Sequence, residues 1–297
     1  MKLWIIGHGL LGTALKKLCD NKSIKTVITT RDVVDITHLE QLKKFSQTPA
    51  AEGVTHIINC AAYTNVDQAE KEPELAHRVN ALGPENIGNV ANKIQAKVVH
   101  ISTDYVFGEG GKRPFKELDT CNPVGVYGKT KWEGEVNLLD ICPLACIIRS
   151  SWLFGRGGKN FISSLVQRMK SDPMLHIVND QKGRPTFVQD LAEAILSLLC
   201  HGGIYHFSNA GEVSRYEMAQ KIHAAIKTLQ IPIACTTLIP VSSDTFPTLA
   251  KRPSYSVLCT EKITSVLGTP PRHWEEALKE YLRDCLRIKL LSNFGFF

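Results

Sequence analysis

The chain reads as an α/β protein: a doubly wound parallel sheet carrying a smaller C-terminal substrate domain. Three observations predict it. Apolar runs of strand length alternate with helical stretches through the first half. The first run ends in Gly7-His8-Gly9-Leu10-Leu11-Gly12 and passes into a helix. The exits of four runs then bring together Gly7, Ala62, Thr103 and Tyr127, as expected where a parallel sheet collects its ligands.

The elements follow in order. Lys2-Leu3-Trp4-Ile5-Ile6 is a buried strand, and Thr13-Ala14-Leu15-Lys16-Lys17-Leu18 opens the helix after the glycine loop. Strand, G-x-G-x-x-G and helix together form a dinucleotide-binding, Rossmann-like unit. Gly7 permits the tight turn, Gly9 admits the pyrophosphate, and Gly12 packs helix on strand, with Leu10 and Leu11 lining the cofactor. The helix start then offers free N–H groups to phosphate. Thr26-Val27-Ile28-Thr29-Thr30 is the second strand. Where an NAD-preferring fold carries an acid, this chain carries Arg31, whose charge suits a 2′-phosphate. NADPH is therefore the expected cofactor, with NADH left open and a solvated Arg31 as the plain alternative. Asp35 and Ile36 are placed near the adenine; Asp35 could instead cap a helix starting near Thr37.

The third strand leaves through Cys60-Ala61-Ala62-Tyr63-Thr64, where Ala62, Tyr63 and Thr64 are expected beside the cofactor. A helix from about Pro73 to Asn92 is predicted to bury Leu75, Val79, Leu82, Ile87, Val90 and Ala91. The fourth strand ends in Ser102-Thr103-Asp104. Tyr127 and Lys131 lie four residues apart at a helix start, hence on one face, where an ammonium favours the phenolate. On spacing alone, a solvated helix face is the better account of that pair.

Further on, the sequence predicts a helix over Asn160–Met169, a strand over Leu175–Val178, a helix over Asp190–Leu199 and a strand over Gly203–Phe207. Ser214 with Glu217 forms a capping box for another helix. The expected partition is 1–170 as the dinucleotide-binding domain, with 188–210 returning to it. Residues 171–187 and 211–297 then form most of the substrate domain. Arg184, in Gly183-Arg184-Pro185-Thr186, is either presented to the ligand or part of a structural turn. Arg252 either takes a pyrophosphate or forms a surface ion pair.

Composition narrows the class. The 297 residues are 43% hydrophobic and 22% charged, ordinary for a globular protein. The net charge of +6 is scattered rather than clustered, which argues against a nucleic-acid partner. No apolar run approaches the roughly 20 residues of a membrane span. Nine cysteines with no C-x-x-C fit reduced thiols in a cytoplasmic protein, and no histidine or cysteine spacing suggests a metal. The apolar tail 290–297 is read as packing against the body or a partner subunit, which leaves room for a homodimer.

Several stretches together resemble a known family: the glycine loop, Asn59-Cys60-Ala61-Ala62-Tyr63-Thr64, Val66-Asp67-Gln68-Ala69-Glu70, Ser102-Thr103-Asp104-Tyr105-Val106-Phe107, and Tyr127 with Lys131. These are similar to the extended short-chain dehydrogenases and, within them, to the dTDP-4-dehydrorhamnose reductase family of dTDP-rhamnose synthesis. The likeness continues through Ile148-Arg149-Ser150-Ser151-Trp152, Val178-Asn179-Asp180-Gln181 and Lys251-Arg252-Pro253. It implies an NADPH-dependent oxidoreductase acting on a dTDP-sugar. Tyr127 would protonate the C4 oxygen, Lys131 would lower the tyrosine pKa and hold the cofactor ribose, and Thr103 would bind the same sugar oxygen. Asp104 and Trp152 would contact the sugar nucleotide.

Departures from the family accompany the resemblance. Its glycine loop is usually one residue longer, which places His8 near the pyrophosphate. An asparagine is usual where Tyr255 stands. Some members bind magnesium near the C-terminus, but residues 287–291 offer no carboxylate, so no metal is predicted. Related dehydratases carry Glu where Tyr105 stands, which favours reduction over elimination. Two alternatives remain: an epimerase or dehydratase on another nucleotide sugar, and a non-catalytic NADP-binding regulatory subunit of a methionine adenosyltransferase.

Overall fold

Six parallel strands form the central sheet: β1 (Lys2–Ile6), β2 (Lys25–Thr29), β3 (His56–Asn59), β4 (Lys97–Thr103), β5 (Cys146–Ser150) and β6 (Gly203–Phe207). The computed structural model describes residues 1–293, and side chains through residue 285; the side chains of the apolar tail lie outside the described residues. The helices used below are α1 (Leu10–Asn21), α2 (Leu39–Ser46), α3 (Gly83–Lys93), α4 (Val126–Ile141), α5 (Phe161–Ser171), α6 (Val188–Ser197), α7 (Arg215–Thr228) and α8 (Trp274–Asn293).

Strand order is β2-β1-β3-β4-β5-β6. The chain leaves β1 toward β2 on one side and comes back to β3 on the other, so the loops after β1 and β3 diverge. The crevice between them is the usual ligand position in such sheets. Alternation along β1 shows how the layers form. Leu3 and Ile5 face one cluster with Leu15 of α1 and Leu191 and Ile195 of α6. Trp4 and Ile6 face the other with Leu42 of α2, Ile87 and Val90 of α3 and Leu138 of α4.

The long helix predicted after β3 is present but interrupted. Pro73–His77 and α3 are joined by a π-helical turn over Arg78–Leu82. The extra residue rotates the buried face, so Asn80 and Ala81 turn inward while Leu82, predicted to be buried, is exposed. Asn80 uses its place: Oδ1 accepts the Tyr63 N–H at 2.8 Å, and Nδ2 donates to the Tyr63 carbonyl at 3.1 Å and Thr130 Oγ1 at 3.2 Å. The turn thereby ties the β3 exit to α4.

A second core joins α5, α7 and α8, with Phe154, Ile162, Leu165 and Met169 among its members. These four residues join this core although they precede 171 in the chain. The helix Glu261–Leu267 crosses back, because Ile263 packs in the sheet core. These boundaries follow side-chain burial, which sequence order does not reveal. The Ser214 capping box forms as read: Glu217 N–H donates to Ser214 Oγ at 3.1 Å, and Ser214 N–H to Glu217 Oε2 at 2.8 Å.

Candidate active site

The glycine loop is built by close approach. Gly7 has φ +98°, a conformation that L side chains rarely adopt, and a Cβ there would lie 2.8 Å from Ala61 N. A Cβ on Gly12 would collide with the Gly7 carbonyl oxygen. Gly9 is different: nothing lies within 4 Å of where its Cβ would be. It caps α1 without a side chain, and no acidic residue occupies the first turn. The helix therefore presents unsatisfied N–H groups and a positive dipole end to open space, which fits a pyrophosphate.

A cavity of about 920 Å³ runs from this loop to the exits of β3 and β4. At its cofactor end lie Gly7, His8, Gly9, Leu10 and Leu11, with Arg31, Asp35 and Ile36 beyond β2 and Ala62, Tyr63 and Thr64 beyond β3. Gly12 packs beneath the turn rather than lining the space. Arg31 is exposed at the rim, its Nε 3.3 Å from Asp35 Oδ2. Asp35 does not cap a helix at Thr37. Its Oδ1 accepts the Thr37 N–H at 2.9 Å and hydroxyl at 2.8 Å in a local turn, and α2 begins at Leu39. These hydrogen bonds and Arg31 outweigh partial burial and hold the Asp35 carboxyl below its usual range.

Thr103, Asp104, Tyr127, Lys131 and Trp152 line the other end. Glu70 positions the tyrosine. Gly125 precedes α4 without a capping side chain, and the Val126 N–H instead donates to Glu70 Oε1 at 2.8 Å. Gly128 lets the first turn of α4 press against the Tyr105 carbonyl, where a Cβ would collide. The Tyr105 and Tyr127 rings meet edge to face at 5.7 Å. The Tyr127 hydroxyl is hydrogen-bonded to the Thr103 side chain. Thr103 in turn donates to Asp104 Oδ1 at 3.0 Å.

The electrostatics differ from the expectation that Lys131 depresses the tyrosine. Tyr127 is raised above its ordinary value, chiefly by burial; the Thr103 hydrogen bond pulls it back, and Asp104 and Tyr105 add to the rise. Lys131 lies one turn deeper and is 1% exposed, with Nζ 2.7 Å from the Ile101 carbonyl and 3.1 Å from His100 Nε2. Burial lowers it to about 8, against a smaller opposing effect of Glu135. Asp104 is pushed up to about 6 by burial, despite hydrogen bonds from Ser256 and Thr103.

A second cavity, of about 420 Å³, adjoins the first. It is lined by Phe161, Arg168, His176, Phe246 and Arg252 among others, and Arg215 lines both spaces. Arg215 lies on the Trp152 ring, its guanidinium carbon 3.4 Å from the centroid, and 4.8 Å from that of Phe161. Three guanidinium groups and aromatic faces suit an anionic, ring-bearing ligand. Trp152 is held at φ +49°, an uncommon conformation for a bulky residue. A Cβ on Gly183 would come within 2.6 Å of its ring.

Arg252 pairs with Asp67 at 2.6 Å and also borders the second cavity. Arg184 is not brought to either cavity; its Nη1 donates to the Leu258 carbonyl at 3.0 Å. The sequence reading missed Arg215, Arg168, Phe161 and Phe246. Arg215 did carry a signal: a cation in the first turn of a helix opposes the dipole, so its position calls for another reason.

The parallel sheet, glycine loop and continuous cleft define the class, the extended short-chain dehydrogenase fold. The family model described as RmlD substrate binding domain matches residues 1–287, and the chain belongs to that family. It is 36% identical over 277 residues to the dTDP-4-dehydrorhamnose reductase of Mycolicibacterium smegmatis, covering 92% of this chain and 82% of that protein. A crystal structure of a dTDP-4-dehydrorhamnose reductase from Clostridium acetobutylicum superposes with TM-score 0.89 at 36% identity, covering 97% of this chain and all of that one. The Bacillus anthracis dTDP-4-dehydrorhamnose reductase, crystallised with NADP, gives TM-score 0.88 at 33% identity, covering 95% and 99%.

Proposed function

We propose that the protein reduces the C4 carbonyl of dTDP-4-dehydro-β-L-rhamnose to dTDP-L-rhamnose with NADPH. The observation that carries this reading is the joining of two cavities at one wall. The open loop at Gly9 and the uncapped start of α1 suit a dinucleotide, the arginine-rich space suits a sugar nucleotide, Tyr127 and Thr103 line the first cavity, and Arg215 borders both. Family membership and the reductases named above support the same substrate.

NADPH, when held by the glycine loop and Lys131, would supply the hydride for C4. The chain supplies the proton and the positioning. Burial keeps the Tyr127 phenol protonated until an acceptor more basic than a phenolate appears, and the carbonyl oxygen becomes one as C4 is reduced. Tyr127 Oη then releases its proton to that oxygen. The Thr103 hydroxyl, which donates to Asp104 in the free chain, turns its hydrogen to the same oxygen when substrate is bound. Lys131, on the face of α4 below Tyr127, holds the cofactor ribose. Arg31 at the rim favours a 2′-phosphate. Arg215, Arg168 and Arg252 take the pyrophosphate of the substrate, with Phe161 or Phe246 against its base. Tyr105 stands where elimination would need a carboxylate, and burial raises it, which favours plain reduction over dehydration.

The test mixes purified protein, NADPH and enzymatically made dTDP-4-dehydrorhamnose and follows loss of the reduced nicotinamide. Stoichiometric consumption with appearance of dTDP-L-rhamnose supports the reading. NADPH binding without consumption would transfer support to a regulatory subunit.

A further inference from the structure

The protonation state of Lys131 is decided by a chain of buried groups behind it. A protonated lysine offers only donors, whereas the neutral amine also offers a lone pair. The chain starts at the Ala61 N–H, which donates to Asn59 Oδ1 at 3.0 Å. That contact fixes the amide, so Asn59 Nδ2, 3.0 Å from His100 Nδ1, is the donor to the ring. With Nδ1 accepting, the single proton of a neutral imidazole sits on Nε2. Nε2 faces Lys131 Nζ at 3.1 Å, and an N–H aimed at Nζ requires its lone pair. The amine then directs one of its own N–H groups to the Ile101 carbonyl at 2.7 Å.

We infer that Asn59 and His100 are positioning residues that form an oriented hydrogen-bond chain, aim the His100 Nε2–H at Lys131 Nζ and so bias Lys131 toward its neutral amine. The reverse order requires Asn59 to turn over, which sets its NH₂ against the Ala61 N–H and strips a backbone donor of its partner. Water does not fill that gap, because Gly7 packs directly on Ala61 N. A doubly protonated ring is disfavoured too: burial holds His100 well below its ordinary value, and a second proton on Nδ1 would face the Asn59 NH₂ with no acceptor.

The other groups facing Lys131 do not force the cation. Glu135, one turn along α4, favours the ammonium but is already engaged by Arg149 Nη2 at 2.6 Å. The Cys60 thiol, at the exit of β3, is pushed up to about 12 by burial and stays uncharged. Burial of Lys131 acts in the same direction as the chain. The consequence rests on the reading of Lys131 as the ribose-holding residue: the chain weakens its hold on its proton, and a new acceptor that competes with His100, such as a ribose hydroxyl or the Tyr127 phenolate, restores it.

The experiment labels the histidines with nitrogen-15 and reads the ring of His100 by proton–nitrogen correlation in the full chain, assigned by the loss of its signals in His100→Gln. The wild type should show a protonated Nε2 and a bare Nδ1. Asn59→Asp keeps the acceptor for Ala61 N–H but replaces the amide donor with a carboxylate. It should move the ring proton to Nδ1 and raise the Lys131 titration by about one unit, a tenfold gain in proton affinity. A wild-type ring protonated on Nδ1 overturns the inference, as does a tautomer unchanged in Asn59→Asp. If Asn59→Asp does not fold, the wild-type spectrum decides alone. Failure of the reductase reading would appear separately, as absent turnover with the tautomer intact.

Discussion

Arg215 lies flat on Trp152, its guanidinium carbon 3.4 Å from the ring centroid, and borders both cavities of the cleft. Burial lowers Arg215 to about 10, yet it remains a cation at neutral pH, held beside Asp104 and Tyr105. On the proposed reading, removing it takes away a charge-assisted contact to substrate, worth roughly 1.5–3 kcal/mol. Arg215→Leu should therefore raise the substrate KM by about tenfold or more, while NADPH affinity stays close to wild type. Arg215→Lys should recover little of it, because an ammonium cannot stack on the indole as a guanidinium does. Steady-state kinetics with fluorescence titration of NADPH checks both.

On the proposed reading, Arg31 governs the choice of cofactor. Its side chain is 72% exposed and pairs with Asp35, so its removal should leave stability nearly unchanged. Arg31→Ala should weaken NADPH about tenfold with little effect on NADH, as measured by parallel titrations of the two.

Glu70 reaches from the helix Val66–Lys71 to cap α4, the helix that carries Tyr127 and Lys131. Glu70→Ala leaves that helix start without a partner. The expected cost is about 1 kcal/mol by denaturant unfolding, together with a fall in kcat as the first turn loosens around Tyr127. Glu70→Gln keeps an acceptor and should recover most of the stability.

Asp104 is 2% exposed and has a pKa raised by burial from 3.8 to about 6. For a group raised on folding, its favourable contribution is complete below the unfolded pKa and is lost as pH climbs through the folded one. Ionised Asp104 thus costs on the order of 3 kcal/mol above neutrality. Asp104→Asn should unfold at higher denaturant than wild type at pH 8, and the gain should vanish near pH 4. The same substitution should weaken substrate binding.

The sheet was legible in the sequence because each strand is a short apolar run closed by small residues, and a parallel strand buried on both faces needs nothing more. The glycine loop was legible because three positions each face a separate steric demand, at Ala61, at open space and at the Gly7 carbonyl. Other features arise only in three dimensions. The π turn at Arg78–Leu82 has no composition of its own, and it moved Leu82 outward by rotating the helix. The second cavity is assembled from α5, α7 and the loop around Phe246, which are far apart in sequence. Ser214 was readable as a cap, but its neighbour Arg215 gains meaning only when Trp152 and Phe161 meet it. The direction of the Tyr127 shift was likewise hidden, since spacing places Lys131 on the same face but says nothing of how deep its Nζ lies.

The central claim is that Tyr127 delivers the proton to the C4 oxygen. Tyr127→Phe keeps the ring against Tyr105 and removes only the hydroxyl. In single-turnover reactions with NADPH and dTDP-4-dehydrorhamnose, its rate should fall by about a hundredfold or more with NADPH affinity unchanged. A Tyr127→Phe variant that reduces the sugar at close to the wild-type rate would contradict the account.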